Sequence, residues 1–350
     1  MQAQRKKYVF LGIALLLILT MASACGDRSK DESGNNGTTG TPTVTSADKT
    51  DTNSATDAPA ATDDGTKAAT RVVSTVNGDV EIPAEPKRIV ALYYHHILLA
   101  FDIKPVGANL TWWGGSPFLK DMEADGIVDV GGPPSLEAVA KLEPDLIIMN
   151  SNNAEDYEQF AKIAPSVLIP YDANRSTYDD AKLVGELIGK PQAAEQLMAS
   201  FEEKAAAAHA KIAGTIDENA KVAIIRIEGK GSEFSIFGYN YGRGGWSVYR
   251  GLNLKMPEKI EKELESSGTQ IVQKLSLELL PEYVADADYI LVSNEGEGTD
   301  LVSGSAVWKT IPAVKNKKVM ELDGKQYFYF DPISIEAQLD LITEMLLSHK

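Results

Sequence analysis

Arg226 interrupts an otherwise apolar stretch, "AIIRI", of the kind that forms a buried strand. A guanidinium placed there needs an acidic partner or a bound guest, because an unpaired buried charge is too costly to keep. It is expected to donate to oxygens of a ligand; the competing reading is an ion pair within the chain, with Glu228 as a candidate partner. Tyr94, Trp112, Trp113, Asn152, Arg175, Tyr239, Tyr241, Arg243, Trp246 and Tyr327 extend the set. Their aromatic faces cover apolar surface, while their guanidinium and polar groups donate to oxygen. One of the two adjacent tryptophans is expected to pack on its own domain. Tyr239 and Tyr241 fit loop packing as readily as ligand contact. Bare-metal chemistry suits the chain poorly, since it wants several imidazoles with a carboxylate. Only four histidines are present: His209 lies on a helix, His349 is next to the end, and His95 and His96 are adjacent. For His95 and His96 a ligand contact competes with a helix-cap or surface role. Catalysis finds no motif: there is no Gly-x-Ser-x-Gly elbow, no P-loop and no His-Glu-x-x-His.

The elements that must position these residues alternate. Residues 72–82 read as a hairpin turning at Asn77-Gly78. Strands are expected at 88–94, 104–109, 144–150 and 166–170, with helices at 95–101 and 157–164, so the pattern is that of a parallel α/β sheet. A long helical stretch over 178–213 is interrupted near Gly189-Lys190-Pro191, and Pro191 fits the first turn of its second segment. Ala194, Leu197, Met198, Phe201, Ala205 and Ala208 share one face of that segment. A second strand-helix series begins with "KVAIIRI" at 221–227 and ends in a helix over 333–347.

One phrase occurs in both series. Ser135-Leu136-Glu137 leads to Asp145-Leu146-Ile147-Ile148, and Ser276-Leu277-Glu278 leads to Asp288-Tyr289-Ile290-Leu291. The repeat predicts two Rossmann-like lobes of one α/β design, each with a central parallel sheet. The lobes would span 71–182 and 216–350, joined by one long backbone helix over 183–215, with a ligand cleft between them. Ligands of such sheets bind outside the carboxyl ends of the strands, where most of the candidate residues fall. A helix as connector allows only a small closure.

The amino-terminal end sets the compartment. Arg5, Lys6 and Lys7 precede an apolar run over 8–19, and Ala22, Ser23 and Ala24 precede Cys25. Residues 1–24 thus read as a secretory signal, too short in its apolar part for an ordinary membrane span. Cys25 is the single cysteine of 350 residues, which excludes an intramolecular disulfide. Its setting resembles the lipobox of bacterial lipoproteins, whose cysteine receives diacylglycerol, although Ala22 stands where that motif usually has Leu. Residues 25–70 hold few large apolar side chains and read as a disordered polar tether, of a length that suits the outer face of a thick-walled cell. The net charge of −16 argues against a nucleic-acid partner.

Over residues 71–350 the chain resembles the helical-backbone, class III substrate-binding proteins of ABC importers, the group serving ferric siderophores, haem and cobalamin. The resemblance rests on "EPKRIVAL", "PSLEAVAKLEPDLII", the central helix, "LSLELLPEYVADADYILV" and Trp308. It implies that Glu137 and Glu278, one per lobe, contact arginines of the membrane permease. The alternative for each is complementing the dipole of its own helix. It further implies a monomeric, lipid-anchored receptor on the extracellular face that carries a ferric siderophore, with hydroxamate or citrate-hydroxamate ligands favoured. The siderophore itself would hold the iron, with no cofactor and no metal site of the protein's own. Cobalamin or haem is the alternative ligand within the family.

Overall fold

A computed structural model describes residues 69–172 and 174–349. The expected signal segment, Cys25 and nearly all of the tether lie outside the described residues.

Two aspartates of the repeated phrase make the same bonds in two places. The Asp145 carboxylate accepts the backbone N–H of Lys87 and of Arg88 at 2.7 and 2.9 Å, and its own N–H donates to the Arg88 carbonyl at 3.0 Å. The Asp288 carboxylate accepts the N–H of Lys221 at 2.8 Å, and its N–H returns to the Lys221 carbonyl at 2.8 Å. Each aspartate therefore fixes the start of its own strand beside the first strand of its lobe.

The strands, in chain order, are β1 (Thr70–Thr75), β2 (Gly78–Pro83), β3 (Ile89–Ala91), β4 (Gly107–Ala108), β5 (Val128–Asp129), β6 (Leu146–Asn150), β7 (Ser166–Ile169), β8 (Val222–Glu228), β9 (Glu233–Phe237), β10 (Ile271–Ser276), β11 (Tyr289–Asn294) and β12 (Val319–Asp323). β1 and β2 form the expected hairpin. The first lobe's sheet has the order β5-β4-β3-β6-β7 and is parallel throughout. The second has the matching order β10-β9-β8-β11-β12, but in it β9 alone runs against the other four strands. β9 runs antiparallel to β8 because the tight turn of Gly229, Lys230 and Gly231, all at positive φ, joins the two directly, and β10 pairs antiparallel with β9 in turn. A parallel pair would need a crossover of a dozen residues or more. The expected strand over 88–94 closes at Ala91, and Tyr94, with φ of 64°, turns the chain into the helix His95–Ala100.

Helix Thr177–Leu187 begins with a capping box between Ser176 and Asp179. It ends at Gly189, whose φ of 75° breaks the helical path, and Pro191 opens the spine helix Pro191–Ile212. Residues 183–187 thus belong to the preceding helix. On the spine, Ala194 enters the first lobe's core, while Phe201, Ala205, Ala208 and Ile212 enter the second's; Leu197 packs against both. The carboxyl-terminal helix Pro332–Ser348 adds Ile335, Leu339, Ile342 and Leu346 to the second core. Its first turn crosses to the other lobe: the Ser334 and Ser116 hydroxyls are 2.8 Å apart, and Ile333 packs beside Leu99, Ala108, Leu119 and Ile127. Among the described residues no helix is long and apolar enough to cross a membrane.

Phe201 is fully buried where the spine meets the second core and Tyr178. Phe201→Ala should cost roughly 3–5 kcal/mol, measured as a lower urea midpoint at an unchanged slope.

Candidate functional site

The side chains of Val222, Ile224, Arg226 and Glu228 follow one another on one face of β8, since strand side chains alternate. Val222 and Ile224 belong to the apolar core; Arg226 and Glu228 stand at its carboxyl edge, where that core gives way to charge. Arg226 Nε donates to Glu228 Oε1 at 2.8 Å, its Nη2 donates to the same oxygen, and its Nη1 donates to Glu295 Oε2 at 3.0 Å. Arg243 grips Glu295 with both arms of its fork, Nε to Oε1 at 2.7 Å and Nη2 to Oε2 at 2.8 Å. The Ser235 hydroxyl donates to Glu228 and the Ser293 hydroxyl to Glu295. Aromatic rings close the cluster: the Arg243 guanidinium lies 4.3 Å from the Phe328 ring centre and 5.0 Å from that of Phe237. Arg226 is therefore no free donor. The intramolecular alternative, Glu228, is its partner, and Glu295 is a second one that the sequence reading did not single out.

Burial alone would push the Glu295 carboxyl up, but hydrogen bonds from Arg243, and then the Arg226 charge, hold it below the ordinary carboxylate value. The loop carrying Arg243 is bent to make this possible. Gly242, Arg243 and Gly244 all have positive φ, at 74, 55 and 78°. A Cβ on Gly242 would lie 2.3 Å from the Phe328 carbonyl oxygen, so only glycine fits. Arg243 itself holds the left-handed conformation at a cost of about 1 kcal/mol or more.

On the first lobe, Asp129 builds the platform for the tryptophans. It accepts the N–H groups of Leu110 at 3.0 Å, Thr111 at 3.3 Å and Gly131 at 3.0 Å, as well as the Thr111 hydroxyl at 2.7 Å. Asn109 Oδ1 caps the short helix Leu110–Trp113 by accepting from Trp112 N–H at 3.0 Å. Trp112 is 45% exposed and lies over Gly132, where a Cβ would come within 2.5 Å of the indole. Trp113 turns inward, edge-on to Tyr93 at 5.0 Å.

The loops at the carboxyl ends of the first sheet meet those of the second lobe along a seam. Asn240 Nδ2 donates to the Asn174 carbonyl at 3.2 Å, and Tyr329 Oη lies 3.5 Å from the Gly114 carbonyl oxygen. Burial, and then the neighbouring Tyr241, raise the Tyr171 hydroxyl above its usual value. Exposed rings come from both lobes: Trp112 and Tyr171 from the first, Tyr239 and Phe328 from the second.

Several expected ligand residues have partners within the protein. Tyr94 and Tyr327 are corrected to core residues, 1% and 2% exposed, each surrounded by the apolar core of its own lobe. Arg175 is held within its own lobe by Asp180 and, at 2.6 Å, by the Pro170 carbonyl. Trp246 stacks on Tyr178 at 5.4 Å and lies against Phe201, joining the second lobe to the two central helices. Tyr241 stacks on Phe237 beneath Arg243. Asn152 is exposed on the 3-10 turn Ser151–Asp156. Buried His95 takes neither a cap nor a surface role; its Nε2 lies 3.0 Å from Glu123 Oε1, and the other oxygen of Glu123 accepts Gly115 N–H at 3.0 Å. Glu137 and Glu278 are both exposed in the first turns after Ser135 and Ser276. Sequence reasoning missed Glu295 and passed over Phe328 and Tyr329 when choosing its ligand set. The strand-end rule that selects the others applies equally to Glu295, one residue beyond β11, but a carboxylate there carries neither the positive charge nor the ring that marks a donor to an iron complex.

Two outcomes follow from this geometry. Gly132→Ala should displace the Trp112 indole and shift its fluorescence emission with little loss of stability. Native Glu295 ionises more readily than an unfolded glutamate, whose value is about 4.3. Its stabilisation is therefore complete above that pH and lost as pH falls through the lower native value. Below about pH 4 the unfolding midpoint should fall more steeply in the wild type than in Glu295→Gln, as measured by circular dichroism.

Comparison with known proteins agrees with this architecture. The family described as periplasmic binding protein matches residues 91–326. The iron(3+)-hydroxamate-binding protein YxeB of Bacillus subtilis is 36% identical over 346 residues, covering 98% of this chain and 97% of the relative. The iron(3+)-hydroxamate-binding protein FhuD of the same organism is 32% identical over 285 residues, covering 81% and 88%. Among solved structures, FhuD2 from Staphylococcus aureus with bound ferrioxamine B superposes with a TM-score of 0.65 at 27% identity, covering 75% of this chain and 99% of that one. The family match spans most of both lobes and the two relatives align over 81% and 98% of the chain, so this protein belongs to the periplasmic binding protein family.

Proposed function

We propose that this chain is the extracytoplasmic substrate-binding component of an ABC importer, and that it captures a ferric hydroxamate siderophore. One observation supports that ligand class above the others: the two arginines nearest the second lobe's strand ends are matched by two glutamates. A site without excess positive charge suits an iron(III) trihydroxamate, whose three monoanionic groups cancel the metal charge. It suits a trianionic catecholate complex poorly. The exposed rings of Trp112, Tyr171, Tyr239 and Phe328 supply apolar surface for the linkers of such a ligand. The names of the two Bacillus relatives and the ferrioxamine B held by the Staphylococcus neighbour support the same class.

In this reading the protein works as a monomer, without a cofactor or catalytic step, and the siderophore alone coordinates the iron. Cys25 carries the lipid anchor and residues 25–70 the tether at the outer face of the membrane. Glu137 and Glu278 meet basic residues of the permease, where charge pairs chiefly set register and encounter rate.

Titration of the purified protein with a panel of ferric trihydroxamates, ferric citrate, a ferric catecholate, haem and cobalamin tests the ligand class. Trihydroxamates should quench tryptophan fluorescence with the lowest Kd; quenching by haem or cobalamin alone would refute it. Glu137→Arg combined with Glu278→Arg should abolish uptake into cells while leaving the Kd unchanged, and intact uptake would refute the docking role.

A further inference from the structure

We infer that Glu295, together with Glu228, is the charge filter of this site. By neutralising Arg226 and Arg243 the two glutamates reject anionic iron complexes in favour of neutral ones. The inference rests on the ligand reading above and goes beyond it by assigning the discrimination to acidic side chains rather than to arginines or rings.

The argument is one of occupancy. Every nitrogen of the Arg243 guanidinium is engaged: Nε and Nη2 by the two oxygens of Glu295, and Nη1 by the Tyr241 carbonyl at 3.3 Å. Arg226 likewise places Nε and Nη2 on Glu228 and Nη1 on Glu295. An anionic guest reaching for either guanidinium must displace a carboxylate or lie against one. Neither carboxylate moves away easily, because Ser235 holds Glu228 from the neighbouring strand β9 and Ser293 holds Glu295 from two residues back on β11. A neutral complex meets no such penalty and can still receive donors that the arginines share. Opposed buried pairs of this kind add little net stability compared with apolar packing. A selectivity role gives them a reason that stability does not.

The test uses four forms of the protein: wild type, Glu295→Gln, Glu228→Gln, and Glu295→Gln combined with Arg243→Met. Each is titrated with the ferric complex of an uncharged cyclic trihydroxamate and with ferric citrate, and thermal melts check that it is folded. The ratio of the two Kd values is the readout. Each single glutamine variant leaves one uncompensated positive charge and should move the ratio toward ferric citrate by about tenfold or more, as expected for one added charge near an anion. The double variant is neutral again and should return to the wild-type ratio. Two independent single variants guard against one failing to fold. If both lose affinity for the two ligands alike, or if the double variant does not restore the ratio, the glutamates are scaffold only and the inference falls. A wild type that prefers ferric citrate overturns the ligand reading instead. The filter survives that result if the single variants strengthen ferric citrate binding further, and falls with it if they do not.

Discussion

The second lobe depends on the mutual neutralisation of Arg226 and Arg243 by Glu228 and Glu295. These four side chains, with Ser235 and Ser293, draw together three adjacent strands, β8, β9 and β11, and the glycine-rich loop after β9. Remove one member and its partner becomes a half-buried charge without an equal, which is the expensive state for such groups. The network also accounts for the strained backbone at Arg243. A left-handed arginine is tolerated because both oxygens of Glu295 and the Phe328 ring fix where its head must go.

The same loop helps to join the lobes. Just beyond Gly244, Trp246 stacks on Tyr178 of the helix before the spine, and Asn240 reaches Asn174. With Leu197 shared by both cores, and Ser334 meeting Ser116, the lobes are tied at several separated points rather than by the spine helix alone. A joint of this kind resists wide opening. Motions that preserve these contacts are limited to small rotations about the central helices.

Much of this was legible in the sequence, for identifiable reasons. Asn77-Gly78, Gly189 and Pro191 act locally, through backbone conformations that neighbours cannot override, and they marked the hairpin turn and the start of the spine correctly. The repeated Asp145 and Asp288 were visible as spacing, though their reciprocal bonds to the first strand of each lobe needed coordinates. What failed was decided at longer range. Nothing in "YYHH" distinguishes Tyr93, edge-on to Trp113, from Tyr94, sealed in the core; one left-handed residue sends the two rings to different places. The antiparallel β9 follows from a short turn at Gly229, Lys230 and Gly231 that the strand-helix pattern did not single out. The partners of Arg226 were uncertain because one of them, Glu295, is 69 residues away and a strand apart.

The repeated phrase itself separates residues that serve the fold from those that do not. Its aspartates bond to backbone in both copies. Its leucines pack, Leu277 in the second core and Leu136 against the first. Its serines differ: Ser135 caps a helix by accepting the Ala138 N–H at 3.2 Å, whereas Ser276 precedes a 3-10 turn without a side-chain cap. The glutamates are exposed in both copies, and the contact of Glu137 with the Ser135 hydroxyl, at 3.3 Å, has no counterpart among the hydrogen bonds of Glu278. The helix-dipole explanation also differs between the copies, since a three-residue 3-10 turn offers a much weaker dipole than an α-helix. The two glutamates thus share exposure and position but no common internal bond, and that shared exposure is the feature on which the proposed docking role rests.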